Sequence, residues 1–224
     1  IPAHCYYGVQ TLRAIENFNL SQNKLSQFPV FIKALAMVKS ACAHANFKLN
    51  KIEENKNNAI QYACQQILNN QYHDQFPIDM IQGGAGTSTN MNINEVLANI
   101  GLEYLEHSKG EYQYLHPNND VNMSQSTNDV YPTAIKVGLI SAIAQLNTPF
   151  ENLIQSFKHK SDEFSDILKM GRTQLQDAVP MTLGQEFGAF GNTLQSDLNR
   201  LNQIMPDALS VVNLGGTAIG TGIN

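Results

Sequence analysis

Apolar residues recur at helical spacing along most of this chain, and strand-like alternation is almost absent. Residues 29–49 place Ile32, Leu35, Ala36, Val38 and Ala45 near one face, behind Pro29, a residue suited to a helix's first turn. Residues 51–69 follow the same rule through Ile52, Ala59, Ile60, Ala63 and Ile67. A third helix is expected from about Asn92 to His107, with Asn92 and Glu95 spaced as a capping box. Two longer patterns follow. The first runs from Asn128 to about Glu163 through Ile135, Leu139, Ile143, Leu146, Phe150, Leu153 and Phe157, and Pro149 is expected to kink or break it. The second runs from Thr182 to Val212 through Leu183, Phe187, Phe190, Leu194, Leu198, Leu201 and Leu209, with Pro206 inside it. The connector between them, Lys169 to Pro180, is polar and rich in turn formers.

Helices of this length usually belong to a bundle, often one shared between subunits. The pattern therefore predicts a mainly α fold in two parts. Residues 1–127 form a helix-rich N-terminal domain, and residues 128–224 begin a central helical bundle that is incomplete. Two bundle helices alone would expose wide apolar stripes. The chain opens at Ile1 and stops at Asn224 in a glycine-rich stretch, so both ends are expected to be cut. No sequence repeat or low-complexity tract interrupts this organisation.

Charge and composition narrow the function. Fourteen Lys and Arg against nineteen Asp and Glu give a net charge of −5, with no basic cluster, which argues against a nucleic-acid partner. No apolar run approaches the ~18 residues of a membrane helix, and no signal-peptide pattern opens the chain. The three cysteines, Cys5, Cys42 and Cys64, are widely spaced and are expected to be buried, reduced thiols in a cytoplasmic setting. None of the six histidines has another at i+3 or i+4, so no metal site is expected.

The candidate chemistry lies in three polar segments. Gln82 to Asn92 is glycine-rich and precedes a helix, where unpaired N–H groups favour an anion, and Thr87 and Ser88 add hydroxyls. It lacks the Gly-Lys-Ser/Thr ending of a phosphate loop, and a capped structural turn reads equally well. Val121 to Asp129 sets Ser126, Thr127 and Asn128 at the start of a helix, as anion donors or as ordinary N-caps. Met170 to Pro180 offers Arg172, Thr173 and Gln174, or else a turn in which Arg172 pairs with Asp177. Together the three suit a small carboxylate-rich molecule held without a cofactor.

These segments read GGAGTSTNMNINEV, HPNNDVNMSQSTNDVYPTA and MGRTQLQDAVPMTLGQEF. With the opening CYYGVQTLRAIENF and the closing VNLGGTAIGTGIN, they resemble the signature regions of the fumarase/aspartase superfamily across nearly the whole chain. Within it the pattern is nearer the aspartases than the class II fumarases, which differ at Ala85, Met123, Thr127, Gln174 and Val179. The resemblance implies reversible deamination of L-aspartate to fumarate and ammonia through an aci-carboxylate, in a homotetramer, with no cofactor. It also implies that Thr87, Ser126 and Thr127 hold the β-carboxylate, that Asn128 and Gln174 face the amino group, and that Thr173 meets the α-carboxylate. Gln174 stands where many relatives have His and cannot take up a proton near neutrality. The family's base, a serine on a mobile Gly-Ser-Ser loop, and a following Lys-Val-Asn-Pro segment would lie beyond Asn224. The 224 residues alone are therefore expected to be inactive. A second anion site at His116, Asn118 and Asn119 is a further implication, although Asn119 stands where Asp is usual and helix capping is the alternative. The competing readings are a fumarate hydratase acting on malate and a non-catalytic helical assembly module.

Overall fold

The computed structural model describes residues 1–223, apart from the side chain of Pro206; Asn224, the last residue of the closing motif, lies outside the described residues. Six helices and one hairpin carry the fold: α1 Val9–Asn17, α2 Pro29–Lys48, α3 Glu54–Leu68, α4 Thr87–Tyr104, α5 Thr127–Glu163, β1 Leu168–Thr173, β2 Gln176–Thr182 and α6 Leu183–Ile204. The mainly α expectation holds, and no described helix is long and apolar enough to cross a membrane.

The chain divides into two compact units, one of Ile1–Leu139 with the segment from Val212 onward, the other of Ile140–Val211. In the first, the apolar stripes read from sequence become the core. Ile32, Leu35 and Ala36 of α2 are buried with Ile60, Ala63 and Ile67 of α3 and Ile93, Val96, Leu97 and Ile100 of α4. Gly101 brings α4 close to α3, since a Cβ there would lie 3.4 Å from Ala59 Cβ.

Helix α4 starts at Thr87, five residues before the expected Asn92, and the expected capping box is not what Glu95 makes. Its buried carboxylate instead caps a different helix, accepting from Gly8 N at 2.8 Å, Gln10 N at 2.9 Å, and Thr11 N and Oγ1 at 3.1 and 2.7 Å. Those are the orphan donors of the α1 N-terminus, so one side chain satisfies what α1 cannot satisfy itself. Asn92 donates to the Gln75 carbonyl at 3.0 Å.

The second unit corrects two expectations. Helix α5 continues past Pro149 without a break. The proline costs the Gln145 carbonyl its helical donor, but Gln145 is exposed and water can replace it. The connector, read as polar and turn-rich in a chain with almost no strand-like alternation, is a β-hairpin pairing Leu168 with Thr182 and Thr173 with Gln176. Its two-residue turn, Gln174 and Leu175, has φ of 51° and 65°, the positive-φ geometry that matches strand twist in tight hairpins. Helix α6 opens on a capping box of Thr182 and Gln185 and ends at Ile204, with one wider turn over Met205–Leu209. Phe157, Phe164, Phe187 and Phe190 form a ring cluster between α5 and α6, with centroids 5.4–6.1 Å apart.

Candidate active site

Two helix N-termini meet in the first unit. Gly86, at φ +90°, precedes α4 and presses so close to Tyr131 of α5 that a Cβ would enter the ring. One turn into α4, Asn90 Nδ2 donates to Thr127 Oγ1 at 3.1 Å, joining the start of α4 to the start of α5. Thr87 is thus brought to the neighbourhood of Ser126, Thr127 and Asn128. The positive dipole ends of the two helices thus lie near one another, which favours an anion. Part of their first-turn N–H groups is already bonded, Thr89 N to Gln82 Oε1 at 3.0 Å and Asn128 N to Ser126 Oγ at 3.2 Å.

The hydroxyls are oriented. Ser126 Oγ accepts from Asn128 N at 3.2 Å, and Thr127 Oγ1 accepts from Asn90. Among the described residues neither hydroxyl proton is donated to a protein group, so each is open to solvent or a ligand. Asn128 Nδ2 donates to the Ala218 carbonyl at 3.0 Å, which leaves its Oδ1 as an acceptor suited to an ammonium group.

Beneath these residues lies a polar layer that sequence reasoning missed. Lys39 is fully buried, and its Nζ donates to Asn122 Oδ1 at 2.8 Å and Gln125 Oε1 at 2.9 Å. Burial pushes its pKa down to about 7, against the opposing influence of Cys42, Cys64 and Asp129. Asn90 Nδ2 also donates to Asn122 Oδ1 at 3.1 Å. Asp129, fully buried, accepts from Ser126 N at 3.0 Å, Gly215 N at 3.2 Å and Thr217 N at 3.0 Å. It thereby ties the glycine-rich closing segment to the first turn of α5. A signal for Lys39 was present: it falls three and four residues after Ala36 and Leu35, on the apolar stripe of α2.

Thr173 and Gln174 stand at the exposed tip of the hairpin in the second unit. Arg172 Nε pairs with Asp177 Oδ1 at 3.3 Å there, the turn pairing weighed from sequence. His116 acts as a cap: its Nδ1 accepts from the backbone N–H of Asn118 at 3.0 Å and of Asn119 at 3.1 Å. The two asparagines are exposed. Cys5 and Cys64 are buried free thiols and Cys42 is half-buried, and burial holds Cys42 and Cys64 at about 11 and about 12. Among the described residues no three His, Cys, Asp or Glu side chains are placed to hold a metal ion.

Comparison with known proteins identifies the family. A family model described as "Lyase" matches residues 1–224. An aspartate ammonia-lyase of Pseudomonas aeruginosa is 61% identical over 224 residues, all of this chain and 47% of that protein. The aspartate ammonia-lyase of Escherichia coli K12 is 56% identical over 225 positions, again 100% of this chain and 47% of its own length. A crystal structure of a Brucella melitensis fumarate lyase superposes with a TM-score of 0.92 at 54% identity, covering 100% of this chain and 48% of that one. A class II fumarase from Schistosoma mansoni superposes at 0.85 with 36% identity, covering 100% and 47%. The chain spans about half the length of the curated relatives it matches. With the family model covering every residue and the signature regions opening α4 and α5, the chain belongs to the lyase family, within the fumarase/aspartase superfamily.

Proposed function

We propose that the whole protein is an aspartate ammonia-lyase, converting L-aspartate to fumarate and ammonia. The observation that carries this reading is the pair of hydroxyls at the start of α5. Ser126 and Thr127 accept from protein donors and keep their protons for an incoming anion. In this reading Thr87, Ser126 and Thr127 hold the substrate β-carboxylate, Asn128 and Gln174 face the amino group, and Thr173 meets the α-carboxylate. The identity of 56–61% to aspartate ammonia-lyases, against 36% to a class II fumarase, favours ammonia over water as the group removed.

The chemistry follows from the donors. Removing the proton beside the β-carboxylate places a second negative charge on that carboxylate. Fixed hydroxyls and helix N–H groups stabilise the doubly charged form more than the substrate, which turns binding into rate. Losing one such donor costs ~10²–10³ in turnover. The base that takes the proton comes from a segment outside these 224 residues, and a cytoplasmic homotetramer is part of the same reading.

The test is fumarate formation by the whole protein, followed by ultraviolet absorbance, with L-aspartate and separately with L-malate. Product from aspartate alone is the expected outcome. Product from malate alone would assign the site to fumarate hydration, and product from neither would leave a helical assembly module.

A further inference from the structure

The direction of every hydrogen bond in the layer beneath the hydroxyls can be traced from fixed points. Gln125 Nε2 donates to the carbonyls of Val121 at 3.0 Å and Met123 at 3.1 Å. Backbone carbonyls only accept, so the Gln125 amide nitrogen must face them and its oxygen must face Lys39. Asn122 Nδ2 likewise donates to the Gln125 carbonyl at 3.3 Å, which turns Asn122 Oδ1 toward Lys39 and Asn90. Lys39, even as a neutral amine, carries two N–H donors for its two acceptors. Asn90 then has one orientation: flipping its amide would set oxygen against oxygen at Asn122. Its nitrogen therefore spends one proton on Asn122 Oδ1 and the other on Thr127 Oγ1, both at 3.1 Å.

We infer that Asn90 is a positioning residue, which turns the Thr127 hydroxyl outward as a donor to the substrate carboxylate. Asn122 and Lys39 fix the amide that does so. This rests on the lyase reading above and adds to it the group that sets the polarity of a substrate contact. Asn90 touches no substrate atom in this scheme. It acts by donating to Oγ1, which keeps the hydroxyl proton from pointing toward Asn90 and leaves it for the ligand. An unoriented hydroxyl would have to rotate into place during the reaction, whereas this one is preset.

Asn90→Asp keeps the side chain's shape and reverses its polarity, because a carboxylate accepts the Thr127 proton instead of donating to its oxygen. Measured in the whole protein with L-aspartate, kcat should fall on the order of 10²-fold, with a smaller change in KM. Asn90→Ala, which leaves the hydroxyl free to rotate, should lose roughly tenfold. On a Thr127→Val background there is no hydroxyl to orient, so Asn90→Ala should not lower kcat by more than about threefold further. Asn90→Asp also sets an oxygen against Asn122 Oδ1 and is read on the unsubstituted background alone. The non-additivity of Asn90→Ala is what a merely structural role would not produce. Equal losses from Asn90→Ala on both backgrounds, or an Asn90→Asp variant with undiminished kcat, would overturn the inference while leaving the lyase reading intact. Failure of the unsubstituted protein to release fumarate from aspartate would instead sink the lyase reading, and this inference with it.

Discussion

Lys39 carries a cost that pH should expose. A lysine held at about 7 in the folded chain and near 10.5 when unfolded binds its proton more tightly in the unfolded state. Between those values the unfolded chain holds more protons, so stability rises with pH, and below about 7 the full penalty of the buried charge is present. From about pH 8 the thiols of Cys42 and Cys64 act in the opposite sense. Burial keeps them protonated while the unfolded thiols ionise, so their contribution declines as pH rises. The lysine's signature is therefore cleanest between about pH 7 and 8. Urea titrations over that window should show a gain on the order of 1 kcal/mol per pH unit, and Lys39→Met should flatten it. An unchanged slope in the variant would mean that some other group titrates. The same residue explains why this part of the site was hidden in the sequence. Lys39 occupies a core position of an amphipathic helix, where polarity looks like an exception to a pattern, and only the fold reveals that Asn122 and Gln125 meet it.

At the scale of elements, the junction of α4 and α5 depends on one glycine. Gly86→Ala adds a left-handed backbone penalty of about 1 kcal/mol and an overpacking cost of roughly 1–3 kcal/mol against the Tyr131 ring. The expected loss in urea denaturation is about 2–4 kcal/mol. Gly110→Ala is the control, since Gly110 has φ +88° and nothing within 4 Å of its would-be Cβ. It should lose only the backbone part, and equal losses at the two positions would show that contact with Tyr131 is not what constrains Gly86. Elements were legible where burial is apolar: α2 and α3 begin and end within about three residues of the stripes that predict them. The start of α4 was not, because Asn90 and Asn92 are buried polar residues whose faces carry hydrogen bonds rather than core contacts. Nor was the hairpin, whose strands are largely exposed on both faces and so show no inside–outside alternation. Ser126, Thr127 and Asn128 could be placed at a helix start from sequence. The partners that orient them, Asn90 and Ala218, lie 37 and 90 positions away, beyond any local pattern.

For the molecule as a whole, the second unit has more apolar surface than it can bury by itself. Leu146, Leu153 and Ile204 are 43, 45 and 54% exposed on the long helices that also pack the phenylalanine cluster, and Phe190 within that cluster is still 47% exposed. Isolated apolar side chains on a surface need no partner, but a stripe repeated along two helices is a face built to be covered. In the proposed homotetramer that cover would come from helices of other subunits. The 224-residue chain expressed alone keeps the stripes and lacks most of the cover, so the hydrophobic driving force for association should act between its own copies. Sedimentation velocity at micromolar concentration should therefore report a mass that exceeds the 24.8 kDa of one chain and rises with concentration. Replacing Leu146 and Leu153 with Gln should shift the distribution toward the single chain without unfolding the first unit, whose core they do not enter. A clean monomer for the unsubstituted chain would show that α5 and α6 cover each other well enough in one copy, and that the demand for a bundle arises elsewhere in the protein.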